Sequence, residues 1–195
     1  MKCDFSFRHY EECLQRISLE GHSVELIHDI DDQLDNSYRF AEIEKKYGIS
    51  AKYFIRLHGK LYNPLTLKNI KAMKDLLVQG HELGLHFEPS FYSKEEIDNA
   101  IKIELSMLGL AVASPINLLS IHEPARFGSI DPSSVPTDVK YYCWDSEYYK
   151  NKKYISDSGG RWREDCMCKH LGKHSKMIIL THPMWWFDQY SAENY

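Results

Sequence analysis

Strand-like apolar segments alternate with helical patterns along most of this chain, and this alternation restricts the possible folds more than any other sequence feature. The predicted strands cover 23–30, 51–55, 82–85, 117–121, 139–143 and 176–180. The predicted helices cover 8–20, 36–47, 67–79 and 93–108, and the region 145–173 is predicted to be irregular. This order is typical of an α/β domain in which helices surround a parallel sheet or barrel.

Acidic residues or a histidine stand at or just beyond the ends of four predicted strands. They are Asp29, Asp31 and Asp32 after the first strand, then His86, His122 and His182 after three later ones. In parallel α/β folds the active site lies at the carboxyl ends of the strands. We therefore expect these side chains to converge at one edge of the sheet.

The acidic run suggests metal chemistry. Alternation along a strand places Asp29 and Asp31 on the same side, where two carboxylates repel each other unless a cation or a shared proton relieves them. With a divalent ion bound, one carboxylate is a ligand and the other accepts a proton from the attacking water. The alternative is that Asp31 and Asp32 begin a turn and cap the next helix.

The histidines fit the same interpretation. His86 follows a short strand in which Gly84 permits close backbone approach, and neutral imidazole is a common metal ligand. His182 ends an apolar strand and is followed by Trp185 and Trp186. A catalytic acid beside a wall that stacks on sugar rings would have this pattern. The alternative for the tryptophans is that they cover the end of the barrel.

Composition restricts the partners. The 195 residues, 43% hydrophobic and 27% charged, suit one globular domain covering 1–195. A net charge of −4 argues against nucleic acid, because phosphate binding requires a basic surface. The sequence contains no apolar run long enough to span a bilayer.

The cysteines predict a reducing compartment. The chain contains Cys3, Cys13, Cys143, Cys166 and Cys168. An odd number without a visible secretion signal predicts reduced thiols and a cytoplasmic location. A zinc site formed by Cys166, Cys168, His170 and His174 is a weaker hypothesis, because neighbouring lysines oppose cation binding. The alternative is a surface segment with reduced thiols.

Several motifs follow one another in a specific order between residues 28 and 86. They are His28-Asp29-Ile30-Asp31, Lys46-Tyr47-Gly48 at the end of a helix, Ala51-Lys52-Tyr53-Phe54 in a strand, and the run from Gly80 to His86. This order resembles the polysaccharide deacetylase family, which shares the NodB-homology domain, and the first motif is similar to its His-Asp-x-Asp subgroup associated with surface-polysaccharide biosynthesis. The resemblance is looser beyond residue 86. It implies a distorted (β/α) barrel of about seven parallel strands with outer helices.

The resemblance also implies roles for the residues. Asp29 would be the catalytic base, and Asp31 and His86 would bind the metal ion. Because the family usually has two adjacent acids, Asp31 with Asp32 is the alternative pair. The family's second metal-binding histidine would fall at Ser90, which departs from the pattern.

We take His122 as the replacement for the ligand missing at Ser90. By resemblance His182 would be the general acid, and Asp157 with Trp162 would orient His182 or shape the pocket. For substrate binding the candidates are Trp185, Trp162 and Arg161. Arg161 is a candidate for binding an anionic substrate group, and a surface ion pair is its alternative.

These expectations combine into a cytoplasmic, metal-dependent hydrolase that removes an acetyl group from an N-acetylated sugar or glycan precursor. Its cofactor would be one divalent ion, with zinc preferred and cobalt, manganese or nickel as alternatives. Two other functions remain open. One is a catalytically degenerate glycan-binding module on the same fold, motivated by Ser90, and the other is a hydrolase of a different C–N bond.

Overall fold

The computed structural model describes residues 3–127, 130–142 and 148–188. Its helices are α1 (Phe7–Glu20), α2 (Asp35–Lys46), α3 (Leu67–Val78), α4 (Ile97–Val112) and the single turn α5 (Pro124–Phe127). Its strands are β1 (Val24–Ile30), β2 (Ala51–Ile55), β3 (Glu82–Phe87), β4 (Leu118–Ile121), β5 (Lys140–Tyr142), β6 (Lys153–Ser156) and β7 (Met177–Thr181). Cys143 lies outside the described residues.

The described strands form one seven-stranded sheet in the order β5-β4-β3-β2-β1-β7-β6. Every pairing is parallel, so the carboxyl ends of the strands share one edge. In the register, His28 of β1 lies beside Tyr53 of β2 and Thr181 of β7. The predicted distorted (β/α) barrel with about seven parallel strands and outer helices is confirmed.

Two local predictions differ from the structure. β6 lies within the segment that was predicted to be irregular. Its sequence, Lys153-Tyr154-Ile155-Ser156, is short and largely polar, so it lacks the apolar pattern of a buried strand. Among the described residues it pairs with β7 on one side only. The helix predicted from residue 93 begins at Ile97 instead. The carboxylate of Glu96 accepts a hydrogen bond from the backbone N–H of Ser93, which closes a turn ahead of the helix.

Alternation along β1 separates two environments. Leu26 and Ile30 face the helices and belong to the main hydrophobic core, whereas Ile27 belongs to a smaller cluster inside the barrel. Asp29 shares the inner side of the strand with Ile27, and both residues line a cavity inside the barrel. His28 faces the helices. The strand therefore directs one ionisable side chain into the core and the next into the barrel.

Gly84 keeps the sheet close-packed beneath the site. A Cβ atom placed there would lie 2.5 Å from the ring of Phe54 and 2.9 Å from the Cβ of Leu118. The close backbone approach expected at this glycine is therefore present.

No helix among the described residues is long and apolar enough to cross a membrane.

Candidate active site

Three potential metal ligands meet at the carboxyl edge of the sheet, and we call them the ligand triangle: Asp31 Oδ1, His86 Nε2 and His122 Nδ1. Asp31 Oδ1 lies 3.3 Å from His86 Nε2 and 3.1 Å from His122 Nδ1, and the two nitrogens are 3.2 Å apart. Ligands at about 2.0–2.1 Å from a tetrahedral ion would be separated by about 3.3–3.4 Å, which is within a few tenths of an ångström of these distances. The spacing of the three atoms fits one small divalent ion.

Asp31 provides a second test of that fit. Its Oδ1 atom is buried and has no hydrogen-bond partner among the described residues, and an unpaired buried carboxylate oxygen is costly unless a cation compensates it. Burial alone would raise the pKa of Asp31, but the nearby imidazoles of His122 and His86 outweigh burial and hold the pKa well below its usual range. The carboxylate is thus ionised and available as a ligand.

Partners behind the triangle orient both imidazole rings. His86 Nδ1 lies 2.7 Å from Ser120 Oγ, which leaves Nε2 facing the triangle. His122 Nε2 lies 3.5 Å from the carboxylate of Glu88, and Arg56 Nη2 donates to that carboxylate at 2.7 Å. Such outer partners fix which nitrogen of a histidine is free to bind a metal.

Ser90 belongs to this outer network and not to the triangle. Its hydroxyl donates to Glu88 Oε1 at 2.6 Å, so it holds the carboxylate that faces His122. The backbone N–H of His122 donates to the carbonyl of Phe87, which joins the end of β4 to the end of β3. The side chain of His122, and not that of Ser90, is therefore grouped with Asp31 and His86.

Asp29 lies beside the triangle at the end of β1. Its Oδ1 atom is 3.6 Å from His86 Nδ1 and has no hydrogen-bond partner among the described residues. Burial raises the pKa of Asp29 despite the nearby His86 and His182. The two acids therefore have pKa values shifted in opposite directions, which is the pattern expected of one ligand and one proton acceptor.

Asp32 has a different environment. Its Oδ1 accepts a hydrogen bond from the backbone N–H of Lys60 at 2.8 Å, and Asp32 does not line the cavity that contains Asp29 and Asp31. This placement fits the turn-forming alternative for Asp32. It favours Asp29 with Asp31 as the working pair.

His182 approaches from the opposite side, just after β7. Its Nε2 atom is 4.0 Å from a carboxylate oxygen of Asp29 and 4.0 Å from one of Asp31. Asp157 accepts hydrogen bonds from the ring Nδ1 of His182 at 2.7 Å and from its backbone N–H at 3.0 Å, and it also accepts from Trp186 Nε1 at 2.8 Å. Asp157 therefore fixes the ring with Nε2 pointing inward.

The pKa of His182 is raised to about 9. Burial alone would lower it, but the hydrogen bond and charge of Asp157 outweigh burial, and the charges of Asp31 and Asp29 add to them. The imidazolium form is thus favoured at neutral pH, so His182 is equipped to donate a proton. Trp186 is completely buried and covers Asp157.

One cavity of about 700 Å³ is lined by Asp29, Asp31, His86, His122 and His182. Its walls carry the aromatic residues Tyr142, Tyr149, Tyr154 and Trp185. Arg163 and Ser158 add polar groups to the wall. A mostly apolar cavity with a few convergent polar groups is the usual form of a small-molecule site.

Trp162 and Arg161 are not among the described residues that line the cavity. The ring of Trp162 stacks on Phe5 at 5.8 Å and meets Trp186 edge-on at 6.3 Å, behind the wall that holds Asp157. Arg161 is exposed, whereas Arg163 and Arg126 line the cavity. Trp185 does line it.

Sequence reasoning missed the residues that support the site. They include Glu88 and Ser120, and Ser120 lies in β4 two positions before His122, which directly follows the strand, so alternation predicts that both face the same side. That spacing was an available signal for Ser120. Arg56 carries no comparable signal, because its contact with Glu88 joins the ends of two different strands.

No protein-family model matches the sequence, and no curated protein matches it. Solved structures do match. A family 4 carbohydrate-esterase pseudoenzyme from Bacillus anthracis has a TM-score of 0.55 and 17% identity, over 83% of this chain and 54% of that one. A family 4 carbohydrate esterase from Streptomyces lividans, in complex with acetate, has a TM-score of 0.54 and 12% identity, over 89% and 82%.

A family 4 acetyl xylan esterase from Clostridium thermocellum, in complex with a cobalt ion, has a TM-score of 0.51 and 14% identity, over 82% of this chain and 73% of that one. The present chain spans a little over half of the length of the Bacillus protein. At these identities the likeness shows the fold. The resemblance to polysaccharide deacetylases is therefore confirmed for the fold of this chain.

Proposed function

We propose that this chain is a metal-dependent hydrolase that removes an acetyl group from an N-acetylated sugar or glycan precursor. One observation carries the proposal: the ligand triangle, an acid with a raised pKa and an imidazole with a raised pKa all face one cavity. Amide hydrolysis requires an electrophilic site, a proton acceptor and a proton donor, and these groups provide a candidate for each. The fold shared with carbohydrate esterases supports the same assignment.

Asp31, His86 and His122 would hold the divalent ion. Such an ion polarises the acyl carbonyl and increases the acidity of the attacking water. We assign zinc, since the triangle combines imidazole with carboxylate, and cobalt, manganese and nickel remain alternatives.

The chain's own residues would move the protons. Asp29 accepts the proton of the attacking water, since its carboxylate borders the triangle and has an unpaired oxygen. His182, held by Asp157, donates a proton to the leaving amine from the opposite side. Trp185 and the tyrosine rings would pack against the sugar, and Arg163 would bind an anionic group.

We further propose a cytoplasmic location and a single domain over 1–195. The four described cysteines are free, which suits a reducing compartment. A cytoplasmic deacetylase would act on a small precursor, such as a nucleotide- or lipid-linked acetamido sugar, and not on a finished polymer.

The test is acetate release from N-acetylglucosamine oligomers and from a nucleotide-linked N-acetylglucosamine. Protein stripped with chelator should be inactive, and activity should return as zinc or cobalt is added up to about one equivalent per ligand triangle. Activity that survives complete metal removal would refute the metal-dependent mechanism.

A second candidate function is glycan binding without turnover. It is favoured by Ser90, which departs from the family's ligand pattern, and by the pseudoenzyme among the matching structures. Metal-loaded protein that binds these sugars and releases no acetate would support this candidate over the hydrolase.

A further inference from the structure

A second group of possible metal ligands shares no residue with the ligand triangle. The side chains of Cys3, His9, Cys166 and Cys168 converge so that one ligand atom from each lies within 4.8 Å of all the others. His9 Nε2 is 2.9 Å from Cys166 Sγ, and Cys3 Sγ is 3.3 Å from Cys168 Sγ. Three of the four residues are buried.

Backbone structure brings the two ends of this group together. Ser6 caps α1 by accepting a hydrogen bond from the backbone N–H of His9, which fixes His9 in the first turn. Ser6 also pairs with Phe187 in a parallel bridge. The later cysteines flank the start of a single 3₁₀ turn, Met167–Lys169, which turns both sulfurs toward His9.

We propose that Cys3, His9, Cys166 and Cys168 form a structural zinc site. Three thiolates with one imidazole are a standard tetrahedral zinc set, and a site with four protein ligands is closed to substrate. Binding would release one proton from each of the three thiols, because the thiolate is the metal ligand.

The surroundings suit the charge of such a site. Zinc with three thiolates and one imidazole carries a net charge of −1. Arg16 donates from Nη1 to the carbonyl of Cys168 at 3.1 Å, and Lys169 is the next residue in the chain, so two cations stand close by. Such cations oppose zinc at a neutral site with two cysteines, but they suit the negative site that three thiolates form. Around zinc at about 2.3 Å, two sulfurs would be about 3.8 Å apart. Cys3 and Cys168 would need to separate by only a few tenths of an ångström.

The ligand set differs from the one considered in the sequence analysis. His170 Nε2 lies 2.6 Å from the carbonyl oxygen of Glu164, and neither His170 nor His174 joins the group. Their places are taken by Cys3 and His9, which are more than 150 residues away in sequence.

The zinc site would hold the segment around Cys3 and Phe5 against Trp162 and Trp186, which pack behind Asp157. Phe5 follows Cys3 by two residues, stacks on Trp162 and meets Trp186 edge-on at 5.3 Å. Trp186 in turn donates to Asp157, which orients His182. The zinc ion would therefore stabilise the packing that holds the proton donor in place.

Cobalt substitution distinguishes this site from the ligand triangle, which contains no sulfur. Protein produced without a histidine tag would be stripped of metal and titrated anaerobically with cobalt. We expect thiolate-to-cobalt charge-transfer absorption in the near ultraviolet, saturating within two equivalents in wild type and at one equivalent in Asp31→Ala, which lacks a ligand of the triangle. Asp31→Ala should leave this absorption intact, so the result is independent of the proposed hydrolase.

Serine variants identify the ligands. Cys3→Ser, Cys166→Ser and Cys168→Ser should each lose the charge-transfer absorption and about one equivalent of zinc, with a lower Tm. Cys13→Ala is the matched control, since Cys13 is a buried thiol whose sulfur is 3.8 Å from His9 Nε2 yet lies outside the group. It should retain the zinc.

Two results would overturn the proposal. One is wild-type protein without thiolate-to-cobalt absorption, a measurement that does not depend on whether any variant folds. The other is a disulfide between Cys3 and Cys168 in protein purified anaerobically, which would show that the close sulfurs are a redox pair.

Discussion

Two groups of ionisable residues lie on opposite faces of β1, and they differ in how completely they are paired. The Glu44 cluster faces the helices and consists of Glu44, His28, Tyr10 and Tyr53. Glu44 accepts hydrogen bonds from the hydroxyls of Tyr10 and Tyr53, each at 2.6 Å, and lies 2.6 Å from His28 Nε2. His28 Nδ1 is 2.7 Å from Thr181 Oγ1. Every one of these polar atoms has a partner.

On the inner face of β1, the hydrogen bonding of the ligand triangle and of Asp29 is incomplete. Buried oxygens of Asp29 and Asp31 have no hydrogen-bond partner among the described residues. A buried charge with complete pairing belongs to the fold, whereas one with open positions needs something from outside the chain. The comparison indicates that the Glu44 cluster stabilises the domain and that the triangle serves function at some cost to stability.

The largest effect should follow from Asp31→Ala. Removing the carboxylate ligand should abolish tight metal binding and lower kcat/KM by about 10⁴-fold or more, since the ion contributes several kcal/mol at about 1.4 kcal/mol per tenfold. Metal content and acetate release would measure this.

Asp32→Ala is the matched control for Asp31. Its carboxylate accepts from Lys60 outside the cavity, so the variant should keep both metal and activity. Loss of metal in Asp32→Ala alone would show that the adjacent acids form the working pair.

His182→Ala should lower kcat by about 10²–10⁴-fold while sparing the metal, because it removes the proton donor and no ligand. The wild-type rate should fall at alkaline pH as the His182 imidazolium deprotonates, at a pH no higher than its pKa of about 9. His182→Ala should flatten this alkaline limb of the pH–rate profile. Asp157→Asn should move the limb to lower pH, because Asp157 raises the pKa. A His182→Ala protein as depleted in metal as Asp31→Ala would make His182 a ligand.

Glu44→Gln should act on stability. It weakens three short contacts, and a hydrogen bond to a charged group contributes about 1.5–3 kcal/mol, so we expect a loss of about 3 kcal/mol in the free energy of unfolding. Urea unfolding of metal-free protein would measure it. Glu42→Gln, an exposed position on the same helix, should change it little. Equal stability of the two variants would break the comparison between the faces of β1.

The pH dependence of that stability follows from the lowered pKa of Glu44. Burial would raise this pKa, but the charge of His28 and the hydrogen bonds from His28, Tyr10 and Tyr53 lower it. A carboxyl whose pKa is depressed by folding stabilises the protein above the unfolded value, and the contribution disappears as pH falls through the folded value. Glu44→Gln should therefore differ most from wild type near neutral pH and converge with it in acid.

The smallest effect should come from Ser120→Ala. Ser120 contacts His86 Nδ1, so its loss should weaken metal affinity by about 10–100-fold and leave kcat unchanged at saturating metal. Competition with a chelator would measure the affinity. Ser158→Ala is the control, since that hydroxyl lines the same cavity and contacts Ser156. An equal loss of affinity in both variants would remove Ser120 from the site.

Local periodicity predicted an α/β sheet or barrel and the strand ends that carry the site, whereas the distorted barrel of about seven strands was implied by the family resemblance. Alternation alone separates His28 from Asp29, whereas the closure of the Glu44 cluster depends on Tyr10, which is distant in the chain. β6 was missed because Lys153–Ser156 has little apolar patterning. Arg161 and Arg163 are indistinguishable in sequence, and only the loop geometry brings Arg163 to the cavity.

The position of β7 in the sheet sets the order in which this site can be assembled. β7 lies between β1 and β6 and pairs Val24 with Met177, so the contact joins parts of the chain separated by about 150 residues. During synthesis, all three ligands of the triangle have emerged once residue 122 is out, but the proton donor at 182 arrives with the last strand. Long-range pairings of this kind form slowly. A growing chain therefore contains all the ligands of the triangle well before it contains the proton donor.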